Sequence, residues 1–163
     1  MSDRLSESEE QTWRSWIMAT RKLYAHLGQE IQDEFGLPMG DYEILVRLSE
    51  SPDQRLRMSE LATMTLASRS RLTHQIDRME RAGLVQREAN PDDRRGLFAV
   101  LTDAGLRTLN EAAPFHVDGV RRHVFDILTP EELATVAHVS DKVNRHLDGE
   151  FEVAGSPRDY SER

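Results

Sequence analysis

Apolar residues recur at Trp13, Trp16, Ile17, Leu23, Tyr24, Leu27, Ile31 and Phe35. Steps of three and four place them on one helical face, and Gly36 with Pro38 marks the end of that helix. Such a helix is about 35 Å long, so it is expected to reach beyond the core of a small domain. Asp41 is placed to cap a second helix bearing Tyr42, Ile44, Leu45 and Leu48, which ends by Pro52. Ser59 is expected to cap a short third helix, Glu60 to Met64, that buries Leu61 and Ala62. After Thr65-Leu66-Ala67, Ser68 is expected to cap a fourth helix with Leu72, Ile76 and Met79 inward, and Gly83 is placed to end it.

The period then changes from 3.6 to 2. Leu84 to Ala89 and Leu97 to Leu101 read as two strands of a hairpin, joined by the polar, turn-rich tip Asn90 to Gly96. Thr102 can cap a fifth helix from Asp103, which Pro114 kinks without ending, since Val117, Val120, Val124, Phe125 and Leu128 resume helical spacing. Thr129-Pro130-Glu131-Glu132 opens a sixth helix with a cap, a proline at its first position and a capping-box glutamate. That helix carries Leu133, Val136, Val139, Val143 and Leu147. The expected fold class is mainly α with a small β-hairpin wing.

A chain of 163 residues, 38% apolar and 31% charged, suits one folded domain with a highly charged surface. It contains no Cys, which excludes a disulfide framework, thiolate metal ligands and a thiol redox sensor. Its longest apolar run, Leu97 to Leu101, is far short of the roughly 20 residues of a membrane span. The acidic start has no apolar stretch of the signal-peptide kind. The chain is expected to be cytoplasmic and not membrane-bound.

The net charge is −8, but its distribution matters more. Residues 54–101 hold nine arginines against six carboxylates, a local excess of +3 that leaves −11 for the rest. A basic middle between acidic flanks, with Arg as its only cation, suits phosphates and guanine edges.

Two short helices joined by a tight turn, then a basic hairpin, describe a winged helix-turn-helix. The fourth helix would enter the major groove by its N-terminal end, Ser68-Arg69-Ser70-Arg71-Leu72-Thr73-His74. Arg69 and Arg71 oppose the helix dipole there, where a helix built only for stability would carry acids. The candidate DNA-binding residues are therefore Ser68, Arg69, Ser70, Arg71, Thr73, His74 and Arg78 on the helix, with Arg94 and Arg95 on a narrow tip suited to the minor groove and Asp93 bracing the wing.

At these residues the sequence resembles the MarR family of bacterial transcription regulators. The wing pattern Asp-x-Arg, five residues, Leu-Thr is matched from Asp93 to Thr102. Further matches are Met58-Ser59-Glu60-Leu61-Ala62, Ser68-x-Ser70-x-Leu72-Thr73, Gly83-Leu84-Val85-x-Arg87, Leu101-Thr102-x-x-Gly105 and Leu128-Thr129-Pro130-Glu131-Glu132-Leu133. In this order and at these spacings they are specific, and they cover about Trp13 to Leu147. The resemblance implies a homodimer whose first, fifth and sixth helices intertwine. It also implies Arg95 in the minor groove, Asp93 holding the wing and the fourth helix in the major groove. Where the family often has Arg after Thr73, this chain has His74, a weaker or pH-dependent donor.

This reading divides the chain into a flexible acidic start (1–11), a winged helix-turn-helix domain (12–148) and a mobile tail (149–163). Within the domain, dimerisation helices span about 12–36 and 103–148, and the DNA-binding lobe about 40–102. In the family Trp13, Trp16, Tyr24, Tyr42 and Phe115 fall on helices that bound an effector cleft. Trp16, Tyr24, Tyr42 and Phe115 are taken as candidate ligand residues for a small aromatic or lipophilic effector. The bland alternative for each is dimer core.

The six histidines, His26, His74, His116, His123, His138 and His146, form no i, i+4 pair with one another, although His116 and His123 could share a face. No metal and no cofactor are expected. No phosphate loop, HExxH run or Ser-His-Asp order is present, so no enzyme activity is expected. The expected function is a sequence-specific repressor that binds double-stranded DNA as a homodimer on a pseudo-palindromic operator and is released by a small-molecule ligand. The competing readings are a protein-interaction or antirepressor module of the same fold, or a metal-responsive regulator.

Overall fold

The computed structural model describes residues 4–90 and 93–151, with side chains except at 93–95 and 149–151. The long helix α1 spans Glu7–Phe35, and Gly36, at φ 63°, closes it by donating its N–H to the Gln32 carbonyl. It starts well before Trp13, so part of the stretch expected to be a flexible start is helical. The physical reason is a capping box: Ser6 Oγ accepts from the Glu9 N–H at 3.3 Å while Glu9 accepts from the Ser6 N–H at 2.7 Å. The second helix, α2, spans Met39–Ser49. Asp41 does not cap it: Pro38 holds the N-cap position with extended backbone, which moves Asp41 inside the first turn. Asp41 is buried there and turned toward a later helix.

A short 3₁₀ turn, Pro52–Gln54, leads to β1, Arg55–Arg57, a strand that alternation in the sequence does not reveal. The third helix, α3, spans Met58–Met64 with Arg57 at the N-cap position, one turn-edge earlier than a Ser59 cap implies. Glu60 closes this start by accepting from the Arg57 N–H. The fourth helix, α4, spans Arg69–Arg81. Here the expectation holds: Ser68 Oγ accepts from the Arg71 N–H, and Gly83 takes the left-handed φ of 74° just past the end.

The wing is β2, Val85–Asn90, and β3, Asp93–Leu101. With β1 they make an antiparallel sheet of order β1-β3-β2, in which Leu56 and Arg87 both sit opposite Ala99. The strand pairing runs nearer the tip than expected, with Asn90 opposite Asp93 after an irregularity at Ala89. The backbone of Arg94 and Arg95 therefore belongs to β3 and not to an open loop.

Thr102 then turns the chain. Its hydroxyl lies within hydrogen-bond reach of the Gly83 and Leu84 carbonyls and accepts from the Gly105 N–H. The fifth helix, α5, spans Asp103–Val120 and passes through Pro114 into a π-helical turn, Arg121–Phe125. Gly105 is required at its place: a Cβ there would lie 2.1 Å from the Leu84 carbonyl oxygen. The sixth helix, α6, spans Pro130–Phe151 and begins with the expected Thr129–Glu132 capping box. It runs through Gly149; the expected tail beyond Phe151 lies outside the described residues.

Ile31 on α1, Ile44 and Leu45 on α2, Leu61 on α3 and Ile76 and Met79 on α4 are sealed from solvent in one core. Val85, Ala99, Leu109 and Ala112 extend it through the wing root and α5. No described residue of α6 is buried. Val136 and Val139 on that helix stand exposed, as do Trp13, Trp16 and Met18 on α1, Phe125 at the end of the π turn and Ile127 just after it. The core thus positions α4 and the wing, while the outer helices display apolar faces.

Candidate nucleic-acid interface

The turn between α3 and α4 is tight because Leu66 takes a left-handed φ of 51° and Ala67 donates its N–H back to the Ala62 carbonyl. Leu66 itself is 89% exposed at the corner. On α4, Leu72, Ile76 and Met79 are fully buried, which fixes the rotation of the helix. Ser68, Arg69, Ser70, Arg71, Thr73 and His74 are exposed together at its N-terminal end.

The arginines of α4 divide into two groups. Toward the C-terminal end each is tied into the domain. Arg78 donates to the buried Asp41 carboxylate, which also accepts from Gln75 Nε2 at 3.0 Å. Arg81 Nε donates to the Asp77 carbonyl. At the N-terminal end, among the described residues, neither Arg69 nor Arg71 has a carboxylate within ion-pair distance, and the first turn holds no acid. Two cations in the first turn of a helix, unneutralised and against its dipole, suit an anionic partner.

The wing is clipped to the same helix. Arg87 on β2 pairs with Asp77 at 2.7 Å and Glu80 at 2.8 Å and donates to the Thr73 carbonyl. Its own N–H donates to Glu80. Across from Arg69, β1 presents Arg55 and Arg57, whose guanidinium groups lie 5.1 and 6.0 Å from the centre of the Phe98 ring. Cation–π contact of this kind holds the charge at the surface. Between these elements Arg57, Ser59, Arg69, Thr73 and Leu97 line a recess of about 320 Å³. Arg55 and Arg57 escaped the sequence reading as site residues because the strand that aligns them is only three residues long.

Of the expected DNA-facing residues, the structure brings Ser68, Arg69, Ser70, Arg71, Thr73 and His74 to one surface. Two of the hydroxyls serve the helix: Ser68 as its cap, and Thr73 by donating to the Arg69 carbonyl at 2.8 Å. Arg78 is turned back to Asp41, because a buried carboxylate needs a cation more than a solvated arginine needs a phosphate. The side chains of Asp93, Arg94 and Arg95 lie outside the described residues.

The four candidate ligand residues lie on three helices, Trp16 and Tyr24 on α1, Tyr42 on α2 and Phe115 on α5. Tyr42 packs on His116 with ring centres 4.8 Å apart, and Phe115 meets Phe35 edge-on at 5.5 Å. Trp16 is exposed on α1. Burial, and then the Glu43 carboxylate beside it, push the Tyr24 hydroxyl above its usual pKa, while nearby Arg71 pulls it down. Tyr42 lines a separate recess of about 330 Å³ with Val46, Arg47, Met64 and Leu66, beneath the α3–α4 corner.

A profile of the MarR family matches residues 37–97, from just before α2 into β3 of the wing. Beyond that segment, the chain is 50% identical to AbsC, a MarR family transcriptional regulator from Streptomyces coelicolor, over 91% of this chain and 99% of that one, with a TM-score of 0.84. The chain belongs to the MarR family. It is also 44% identical to Sco3205, a MarR family regulator from the same organism solved in complex with DNA, covering 90% of this chain and 92% of that one, with a TM-score of 0.85. MhqR, an HTH-type transcriptional regulator of Bacillus subtilis, is 27% identical over 77% of this chain and 83% of its own. As a MarR family transcriptional regulator the protein binds DNA and is not an enzyme. Among the described residues no helix is long and apolar enough to cross a membrane.

Proposed function

We propose that the chain acts as a homodimer on a pseudo-palindromic operator, represses by blocking polymerase, and releases DNA when a small aromatic or lipophilic ligand binds. The observation that carries the DNA contact is the pair Arg69 and Arg71, exposed on the leading turn of α4 with no carboxylate in ion-pair range among the described residues. One or both reach guanine edges in the major groove, and Arg95, braced by Asp93, enters the minor groove. Arg55 and Arg57 flank the groove and take phosphates. The dimer reading is supported by α6, whose apolar residues find no burial among the described residues of their own chain. A second copy covers such faces with the fewest new requirements. Tyr42, at the recess beneath the helix-turn-helix corner, offers the effector a foothold next to Met64 and Leu66. A DNA partner places the protein in the cytoplasm.

Footprinting upstream of its own gene, followed by light scattering, tests this reading. It predicts a protected palindrome and a dimer at micromolar concentration, with recognition helices about 34 Å apart or a small multiple of that. A monomer, or no protection above random DNA, would overturn it.

A further inference from the structure

His26 and Glu30 stand four residues apart on α1, on one face. The chain brings His123, from the π turn, against that face across 93 residues of sequence. His123 Nε2 lies 3.1 Å from Glu30 Oε1, and His26 Nε2 lies 3.7 Å from the same oxygen. The two imidazoles meet edge-on with centres 4.7 Å apart, and one ligand atom from each of the three residues falls within 4.8 Å of the others. We propose that His26, Glu30 and His123 form a binding site for a divalent first-row transition ion of the zinc type.

The dimensions fit. Bonds of about 2.1 Å to nitrogen and oxygen in a tetrahedron require ligand atoms about 3.4 Å apart. The two separations from Glu30 bracket that value, and the imidazole pair closes with a small rotation of His26, whose side chain is 62% exposed. Two neutral imidazoles and one carboxylate, without thiolate, favour zinc, cobalt or nickel over calcium or magnesium. A fourth position remains for water on the exposed His26 side.

The backbone makes room for this cluster. Gly119, one turn before His123, is buried against it: a Cβ there would lie 2.8 Å from Glu30 Oε2 and 3.0 Å from a Leu27 methyl. The π turn that delivers His123 is a local geometry found often at functional positions. A competing occupant is also present. Arg122 Nη2 donates to both Glu30 oxygens at 3.1 and 3.2 Å. Its side chain is half-exposed, so an ion entering the site can displace it into water. A bound ion would fasten α1 to the end of α5 and stabilise the fold by mass action.

The proposal is independent of the operator and effector reading, because its readouts use no DNA. The full chain, stripped of metal with a chelator and dialysed, is titrated with Co(II) and then Zn(II). One Co(II) per chain with the visible absorption of a low-coordinate nitrogen/oxygen site is expected, displaced by Zn(II), and Zn(II) should raise the melting temperature. His26→Ala and His123→Ala should each weaken binding at least about tenfold. His26 is exposed enough that its variant keeps the metal-free fold, which metal-free melting checks. Arg122→Ala separates this site from a plain ion-pair cluster: metal binding should persist or tighten. His138→Ala, on α6, should bind like the wild type. Absence of stoichiometric Co(II) or Zn(II) at micromolar concentration, binding unchanged in both histidine variants, or binding lost in Arg122→Ala would each overturn the proposal.

Discussion

Asp41 and Arg78, 37 residues apart, join α2 to the recognition helix. The pair is asymmetric: the Asp41 side chain is 5% exposed and that of Arg78 54%. Removing the arginine strands a buried carboxylate, whereas neutralising the carboxylate leaves an arginine that water can take over. Arg78→Ala should therefore cost about 1–3 kcal/mol of stability, and Asp41→Asn less. Urea unfolding of the two variants measures the difference; equal losses would mean that burial of the carboxylate does not govern the pair. Near-native operator affinity in Asp41→Asn would also show that a released Arg78 adds nothing essential on DNA.

Arg69 and Arg71, which have no carboxylate partner among the described residues, should behave otherwise. The better placed of Arg69 and Arg71, changed to Ala, should lose about 1–3 kcal/mol on the operator and little on scrambled duplex. Melting should be unchanged, since neither lies on the stripe of Leu72, Ile76 and Met79. Arg95→Ala should weaken both duplexes together and flatten the salt dependence by about one unit of slope. Fluorescence anisotropy at several salt concentrations separates the two patterns. Wild-type binding by all three variants would remove this face from the interface.

Gly105→Ala should destabilise the protein by about 1–3 kcal/mol. The tightest clash is with the Leu84 backbone, and a second is with the Leu101 side chain, so β2 or α5 must shift. Because Thr102 ties that junction to Gly83 and Leu84, the shift should also reach the wing. Calorimetry with wild-type melting would refute the close approach.

His116 gives the protein an acid-side weakness. Burial lowers its pKa from the ordinary 6.5, against smaller upward pulls from Glu43 and Glu30. Its Nδ1 is buried without a hydrogen-bond partner among the described residues, and Tyr42 packs on its ring. The unfolded chain therefore binds a proton at a pH where the folded one does not, so stability rises with pH in that interval. The contribution is intact above about 6.5 and is lost as pH falls through that value toward the lowered folded pKa. His116→Gln cannot titrate and should lose less stability than wild type over the same interval. Denaturant midpoints on either side of pH 6.5 test it, and parallel losses in both proteins would rule His116 out.

What could be read from the sequence was local. The Ser68, Thr102 and Thr129 caps and the Gly83 turn each depend on neighbours within a few residues, and all four stand where the spacing put them. The Ser6–Glu9 box obeys the same rule, but apolar spacing from Trp13 drew attention away from it. Features that depend on distant partners were invisible. Asp41 reads as a cap until Arg78 folds onto it, and Arg55 and Arg57 belong to no element until β3 pairs with them. His26 and Glu30 are adjacent turns of one helix, yet only tertiary packing supplies His123.

The unburied α6 has a genetic consequence. If a second copy covers its apolar face, assembly and DNA contact reside in different parts of the chain. A subunit that has lost Arg69 and Arg71 would still pair with an intact one. Mixed dimers would then grip only half an operator, and one defective allele expressed in excess would silence the good one. Truncating that same allele before Pro130 should abolish its dominance.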